Sequence, residues 1–448
     1  MTIIYGLIGL GVIVFIHELG HFLVARWCGV EVESFSVGMG PILLRKKIGK
    51  TDYRLSLIPL GGYCGMKGDK AFQEALENKL DEIPAEENSF YGVAKWKRIL
   101  IAFAGPAFNV IFAIIAFAII STISTTYYAT PNKVIMIDEV YADLTSPAKV
   151  AGMQTGDVIL EINGKPTPYF NDIQKIVSMA AKEELTFTVN RNGEILTFTF
   201  EAELDTETGA GRIGVTNWVN PVISEIEEGS VTQKTGLRIG DVIIEADGYP
   251  IANTMDFNKI IQNKDVIVVK YERNGEIKET QLPISKTIDE QQGLYWQVEA
   301  VKTETYNFIG AIGQGFIDTF ELMKMTIKGI GMLFNGVEVT KAVSGPIGIT
   351  MMLGETTEAS FSAGFSVGIV NVLNFLALIS VSLFIMNLLP IPILDGGIIF
   401  VALIEIIRRK PVKPAILYRI QFIGFGILLF LFIIGFVGDI RRIFTGGF

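Results

Sequence analysis

The run His17-Glu18-Leu19-Gly20-His21 places two imidazoles four residues apart with a carboxylate between them. On a helix, residues at that spacing share a face, so both rings can address one metal ion. Glu18 lies beside them, in reach of a water on that ion. The protein contains 2 histidines and both are in this motif, inside a stretch from Met1 to Trp27 that is otherwise almost wholly apolar. An imidazole is costly in an apolar span and is found there for a function. A merely hydrogen-bonded buried pair would leave the glutamate and the spacing unexplained.

Catalytic zinc typically takes three protein ligands and a water, and two histidines with one carboxylate are a common set. The candidate third ligand is Asp395, near the other end of the chain, in Asn387-Leu388-Leu389-Pro390-Ile391-Pro392-Ile393-Leu394-Asp395-Gly396-Gly397. The prolines break the preceding helix and predict Asp395 on irregular backbone at membrane depth. An Asp-Gly turn at the water interface is the plainer alternative. Ligation by His17, His21 and Asp395 would bring a water's pKa down to ~7. Glu18 would take its proton during attack on a peptide carbonyl and hand that proton to the leaving amine. Asn387 is the candidate donor to the oxyanion, against the simpler role of a packing hydrogen bond.

The elements that must position these groups follow from composition and charge. Of 448 residues, 50% are hydrophobic and 19% charged, and the mean hydropathy is +0.42. That is too apolar for an ordinary soluble enzyme and too charged for a bare bundle of spans, so a membrane protein with a sizeable water-exposed part is expected. The net charge of −9 excludes the basic stripe of a nucleic-acid binder. Cys28 and Cys64 lie in no CxxC spacing, which favours structural thiols over zinc ligands. No basic, cleavable leader is apparent, so the first apolar stretch reads as a span.

Four spans are predicted, at Ile3–Ala25, Ile99–Ser124, Ala363–Leu389 and Ile416–Val437. Lys and Arg crowd the segment between the first two (Arg26, Arg45, Lys46, Lys47, Lys50, Arg54, Lys95, Lys97, Arg98) and the one between the last two (Arg408, Arg409, Lys410, Lys413). By the positive-inside rule those segments are cytoplasmic and both termini lie outside. The histidines and Asp395 then fall at the same depth, toward the cytoplasmic side.

Residues 28–95 read as a β-rich loop, with strands near Val30–Leu44 and Tyr53–Met66 punctuated by Gly38-Met39-Gly40, Pro59 and Gly61-Gly62. Its apolar pieces Ile42–Leu44 and Leu57–Leu60 could dip into the membrane beside the motif or form a plain surface hairpin. Ala71–Asn88 is acidic and reads as exposed. Gly105-Pro106-Ala107-Phe108-Asn109 in the second span allows close helix approach, with Asn109 read as an interhelical hydrogen bond. Tyr306–Phe334 carries Asp318, Glu321, Lys324 and Lys328 and reads as an amphipathic helix at the membrane surface.

Between about 128 and 303 the chain turns α/β and repeats itself. Gly156-Asp157-Val158-Ile159 with Asn163-Gly164 recurs as Gly240-Asp241-Val242-Ile243 with Asp247-Gly248, and a helical stretch and alternating strands follow each copy. The pattern resembles the PDZ fold, whose members bind extended peptides by strand addition. The expected fold is thus a polytopic α-helical membrane protein with four transmembrane helices, a membrane-associated β-rich loop and two tandem PDZ-like α/β domains. The expected boundaries are 128–210 and 211–288 for the repeats, 289–362 for an extracytoplasmic amphipathic region and 393–415 for a cytoplasmic loop.

Taken together, His-Glu-x-x-His, Gly-x-Gly, Gly-Pro-x-x-Asn and Asn-x-x-Pro-x-Pro-x-Leu-Asp-Gly-Gly resemble the site-2 intramembrane metalloproteases over nearly the whole chain. Met39 departs from the aromatic often found between the two glycines. The resemblance implies Zn2+ on His17, His21 and Asp395, Glu18 as acid/base, and Asn387 near the substrate. It implies a zinc metalloendopeptidase of a bacterial inner membrane, with the repeats and both termini on the periplasmic side. Its implied substrates are single-span membrane proteins, notably anti-sigma factors already trimmed outside, with the repeat pair excluding untrimmed ones by size. Peptide segments are further partners for the PDZ grooves. A strand comprising Tyr53, Arg54, Leu55, Ser56 and Leu57 is expected to capture the unwound substrate along an exposed edge. A non-catalytic scaffold would not need the intact Glu18 and ligand set, and a lipid hydrolase would not need the repeats. Zinc over iron or cobalt rests on ligand type and on the resemblance.

Overall fold

The computed structural model describes residues 1–448 apart from 142, 207, 263, 285–292, 333–343 and 446–448. In chain order its helices are α1 (Thr2–Trp27), α2 (Asp69–Glu77), α3 (Lys95–Ile120), α4 (Pro147–Val150), α5 (Phe170–Ser178), α6 (Thr254–Ile261), α7 (Phe308–Met332), α8 (Pro346–Ala363), α9 (Phe365–Asn387), α10 (Asp395–Arg408) and α11 (Pro414–Thr445). The chain divides into a unit of Met1–Thr125 with Glu304–Phe448 and a unit of Thr126–Thr303.

The first unit is a helical bundle carrying a small sheet. Thr2–Trp27, Lys95–Ile120, Phe365–Asn387 and Pro414–Phe444 are each long and apolar enough to cross a membrane, matching the four expected spans. Small residues let these helices approach closely. A Cβ on Gly6 would lie 2.0 Å from the Thr350 carbonyl oxygen of α8, and one on Gly20 would lie 2.4 Å from that of Ala104 in α3.

The segment expected as an amphipathic helix at the membrane surface is a helix, α7, and it packs along α3. The Tyr306 N–H donates to Ser121 O just past the end of α3. Gly315 of α7 packs against Ile114 and Ala118, and Leu322 and Met323 join the cluster around Ala113 and Ala116. Its four charges signalled a polar face, whereas Ala311, Gly315 and Thr319, all buried, decide how it packs. Residues 393–415 hold another departure, the helix α10 where a loop was expected.

The sheet is built from β1 (Val32–Ile48) and β2 (Thr51–Met66). Gly38 and Gly40 sit at φ +85° and +82° and Gly61 at φ +120°, so each long strand bends into two. The stretch 32–37 then pairs with 62–66 on one side (Phe35 opposite Cys64) and with 52–55 on the other (Phe35 opposite Tyr53). The stretch 42–48 covers the far side of 51–56, with Lys46 opposite Tyr53 and Arg45 opposite Arg54. Tyr53, Arg54 and Leu55 are therefore paired on both sides and Ser56 faces Ile42, so the expected edge at Tyr53–Leu57 is interior over 53–55. The outer strands of the sheet are 42–48 and 62–66. Phe22, Phe35 and Tyr53 stack edge-on where the sheet docks on α1, with Cys28 buried in the same core. Burial pushes the Cys64 thiol up to about 12 and raises that of Cys28, and both cysteines are free.

The second unit holds the repeat. Its two four-stranded sheets have the same strand order, 165–166, 158–162, 184–191, 194–201 in one copy and 249–250, 242–246, 266–273, 276–283 in the other. Asn163-Gly164 and Asp247-Gly248 all have positive φ, the backbone of a tight hairpin turn. In each copy a buried aspartate holds the turn before the strand. Arg191 donates to Asp157 through Nε at 2.7 Å and Nη2 at 2.8 Å, and also to Gly152 O. Arg273 repeats all three bonds with Asp241 and Gly236 O. The repeat boundaries differ from expectation: 215–217 returns to pair with 134–136, and 294–296 pairs with 223–226. The first copy thus reaches past 210 and the second past 288, because a closing strand pairs across a whole domain and leaves no local signature.

Asp241→Ala should leave the Arg273 guanidinium and the Arg238 N–H of the turn without their acceptor, at a cost of about 3 kcal/mol to the second copy. Hydrogen exchange is expected to speed up in 242–246 and 266–273 while 158–162 and 184–191 keep their protection.

Candidate metal centre

Helix α1 carries His17 and His21 on one face, a turn apart, where the sequence spacing requires them. Their Nε2 atoms are 3.2 Å apart. Asp395 closes the triangle, its Oδ2 at 3.3 Å from His17 Nε2 and its Oδ1 at 3.4 Å from His21 Nε2. Ligands about 2.0–2.1 Å from a tetrahedral zinc stand roughly 3.3–3.4 Å from one another. The separations are of the size such a site needs, with one carboxylate oxygen turned toward each imidazole. The ligand atoms of His17, His21 and Asp395 form the metal-competent cluster among the described residues. The donor set fits the metal its chemistry implies.

Each ligand is placed by a specific feature of its element. His21 Nδ1 lies 2.8 Å from Ile101 O, so it donates there and keeps its lone pair on Nε2. Helix α3 can pass this close because residue 105 is glycine: a Cβ there would lie 2.3 Å from His21 Nε2 and 2.9 Å from His17 Cε1. Asp395 begins α10, following Leu394 in extended conformation. The expectation of irregular backbone at Asp395 itself is thus corrected, since the irregular turn is the preceding 388–394. Gly396 and Gly397 allow that turn to fold back over the helix start, where a Cβ on either would lie 2.3 Å from a carbonyl oxygen, of Leu388 or Ile391. The far end of α10 is tied to α3 by a buried pair, Arg98 Nη2 donating to Glu405 Oε2 at 2.7 Å. Glu405 Oε1 also accepts from the Val412 N–H.

A cavity of about 410 Å³ opens on the triad, lined by His17, Glu18, His21 and Asp395, by Asn387 at the end of α9, and by Gly62, Tyr63, Cys64 and Met66. Cys64 and Glu18 line the cavity together. The structure thus brings together His17, Glu18, His21, Asp395 and Asn387. It does not bring Tyr53, Arg54, Leu55, Ser56 or Leu57 to the cavity, whose strand wall is 62–66. Sequence reasoning read Gly105 only as permitting close helix approach, not as making room for the imidazoles, and it missed Glu405. Gly61-Gly62 was the available signal for the strand wall, being bare backbone that can lie against Glu18.

A helical bundle with a two-histidine, one-carboxylate centre and an adjacent glutamate over a cavity has the construction of a metallopeptidase. Residues 5–431 match the model of peptidase family M50, and the chain belongs to that family. A protein of Treponema pallidum (strain Nichols), named as a zinc metalloprotease, is 40% identical over 99% of this chain and 100% of its own. The regulator of sigma-E protease of Escherichia coli (strain K12) is 31% identical over 98% of each chain. The solved PDZ domain of an SdrC-like protein from Listeria monocytogenes aligns with 19% of this chain and 92% of its own at 17% identity, with a TM-score of 0.16, which carries no weight for the fold.

Gly105→Ala would ordinarily stabilise a helix by roughly 0.5–1 kcal/mol. Here it is expected to push α3 off the imidazoles and weaken metal retention by at least ~10-fold, measured as zinc content of the purified protein after dialysis against a chelator.

Proposed function

We propose that this chain is an intramembrane zinc metalloprotease that cuts single-span membrane proteins, a pre-trimmed anti-sigma factor being the model substrate. The observation that carries this reading is the triad of His17, His21 and Asp395 with Glu18 beside it, built on helices apolar enough to span a membrane. The family membership and the sigma-E protease relative support it. The placement follows the charge distribution: an inner membrane, with the histidines and Asp395 toward the cytoplasmic face and the termini and repeats, read as PDZ-like, on the other. Peptide segments are the partners suited to those repeats.

Zinc bound to the three side chains supplies a Lewis acid that makes water nucleophilic at neutral pH. The remaining steps belong to the protein. Glu18 takes the proton of the attacking water and delivers it to the departing amine, so the same carboxylate is base and then acid. Asn387, on the cavity wall, donates to the oxyanion. A transmembrane helix hides its peptide bonds in its own hydrogen bonds, so the scissile segment must unwind before attack. The outer strand at Gly62–Met66, which lines the cavity, offers backbone partners for the unwound segment in place of Tyr53–Leu57.

The test is cleavage of a single-span reporter by purified protein in micelles. Glu18→Gln should lose activity by ~10²–10⁴-fold while keeping its zinc. Full activity in that variant would leave a scaffold as the better reading, and turnover of lipid but not peptide would favour a lipid hydrolase. Tyr63→Pro, which disturbs the 62–66 strand, should slow cleavage with zinc retained, whereas Tyr53→Pro should damage the middle of the sheet.

A further inference from the structure

Helix packing accounts for Gly105 in the motif Gly105-Pro106-Ala107-Phe108-Asn109 but not for its asparagine. Asn109 is 0% exposed. Its backbone is held from α9, Ser380 Oγ donating to Asn109 O at 3.1 Å. Its side-chain Nδ2 stands 3.2 Å from His17 Nδ1, and its Oδ1 is buried with no hydrogen-bond partner.

A neutral imidazole carries one N–H and one lone pair. His17 Nε2 faces His21 Nε2 and Asp395 Oδ2 at 3.2 and 3.3 Å, so it can serve a metal there only with its lone pair on Nε2 and its proton on Nδ1. A proton on Nδ1 needs an acceptor, which an amide NH2 group is not. A half-turn about the amide's bond to Cβ interchanges its oxygen and nitrogen at almost no cost in volume. That half-turn brings the unpartnered Oδ1 to His17 Nδ1. His21 already has the corresponding arrangement, with Nδ1 at 2.8 Å from the Ile101 carbonyl.

We propose that Asn109 is the positioning residue of His17: in the metal-loaded protein its Oδ1 accepts from His17 Nδ1–H and so presents the Nε2 lone pair to the ion. The inference rests on the metal-centre reading above. A ligating histidine generally donates its other N–H to a carboxylate, a carbonyl or water, and here a side-chain carbonyl on α3 takes that part. The opposite orientation, NH2 donating to Nδ1, puts the proton on Nε2 and removes neutral His17 from the ligand set. Metal binding and the amide's orientation are therefore linked.

Two variants of the full chain in micelles separate the orientations. Asn109→Asp keeps an acceptor and loses the donor; Asn109→Leu keeps the volume and loses both. Zinc affinity is read by chelator competition, and the visible spectrum of the cobalt-substituted protein reports ligand geometry. The expected result is wild-type-like affinity and spectrum for Asn109→Asp, and a loss of ~10–100-fold with an altered spectrum for Asn109→Leu. Asn109→Asp binding zinc much more weakly than wild type overturns the proposal, as does Asn109→Leu binding as tightly as wild type. Thermal melting of the metal-free variants identifies any loss of fold, and if the leucine variant does not fold the aspartate variant decides alone. Absence of zinc binding in the wild type would instead overturn the metal-centre reading, and this proposal with it.

Discussion

Two imidazole nitrogens and a carboxylate, mutually 3.2 to 3.4 Å apart and largely shielded from water, cannot be placed among apolar helices for nothing. Each is a polar group taken out of water, and lone pairs converging on one point repel unless a cation lies there. That convergence constrains the first unit. α1 must present both histidines on one face, α10 must begin at Asp395, and α3 must pass close enough to orient the rings. Glycine appears at each close approach, at Gly20, Gly105, Gly396 and Gly397, because only a missing Cβ leaves room for backbone against ring or backbone against backbone. The buried Arg98–Glu405 pair serves the same end. Its two charges are expensive to bury, and what they secure is the register of α10 against α3, hence the position of a carboxylate at the other end of α10.

The sheet beside the centre obeys a second constraint. A β-strand edge beside such a centre must be bare enough to approach Glu18 and regular enough to pair. Gly62 meets the first requirement: a Cβ there would lie 3.1 Å from Glu18 Cγ and 2.9 Å from Val14 Cγ1. Pairing of 62–66 with 32–37 meets the second. Gly61 separates the inner stretch from the outer one, turning the chain at φ +120°.

Much of this was legible in the residues. The helical spacing of the histidines, the apolar spans and the repeat are short-period patterns, and the structure reproduces them. Asp395 could be paired with the histidines because span counting and Lys/Arg asymmetry place the ends of distant spans at one depth. What stayed illegible depends on pairing between segments. The alternation around Tyr53–Leu57 marks a strand but not its neighbours, so an interior strand was taken for an edge. Closing strands such as 215–217 and 294–296 lie a domain away from their partners. α7 shows a different failure, its charges outweighing in the sequence the small-residue stripe that sets its packing. Asn109 was legible as a polar group needing a partner, yet nothing in its own helix says that the partner is a histidine on another.

The two units solve a similar problem by different means. In the repeats, a buried carboxylate is satisfied internally by a two-point arginine and a turn N–H, Gln154 or Arg238 donating at 2.8 Å, so Asp157 and Asp241 are fully committed to the fold. In the bundle, Asp395 has imidazoles rather than a guanidinium as its neighbours, and no lysine or arginine forms an ion pair with it among the described residues. A fixed cation there would neutralise the carboxylate and compete with a metal for it, as Arg273 does at Asp241. The contrast separates a structural aspartate from a ligand: both are buried beside positive or protonatable groups, but only Asp395 keeps lone pairs uncommitted and aimed at a point that two other ligand atoms share. That incomplete satisfaction, costly in any core, is what makes the site receptive.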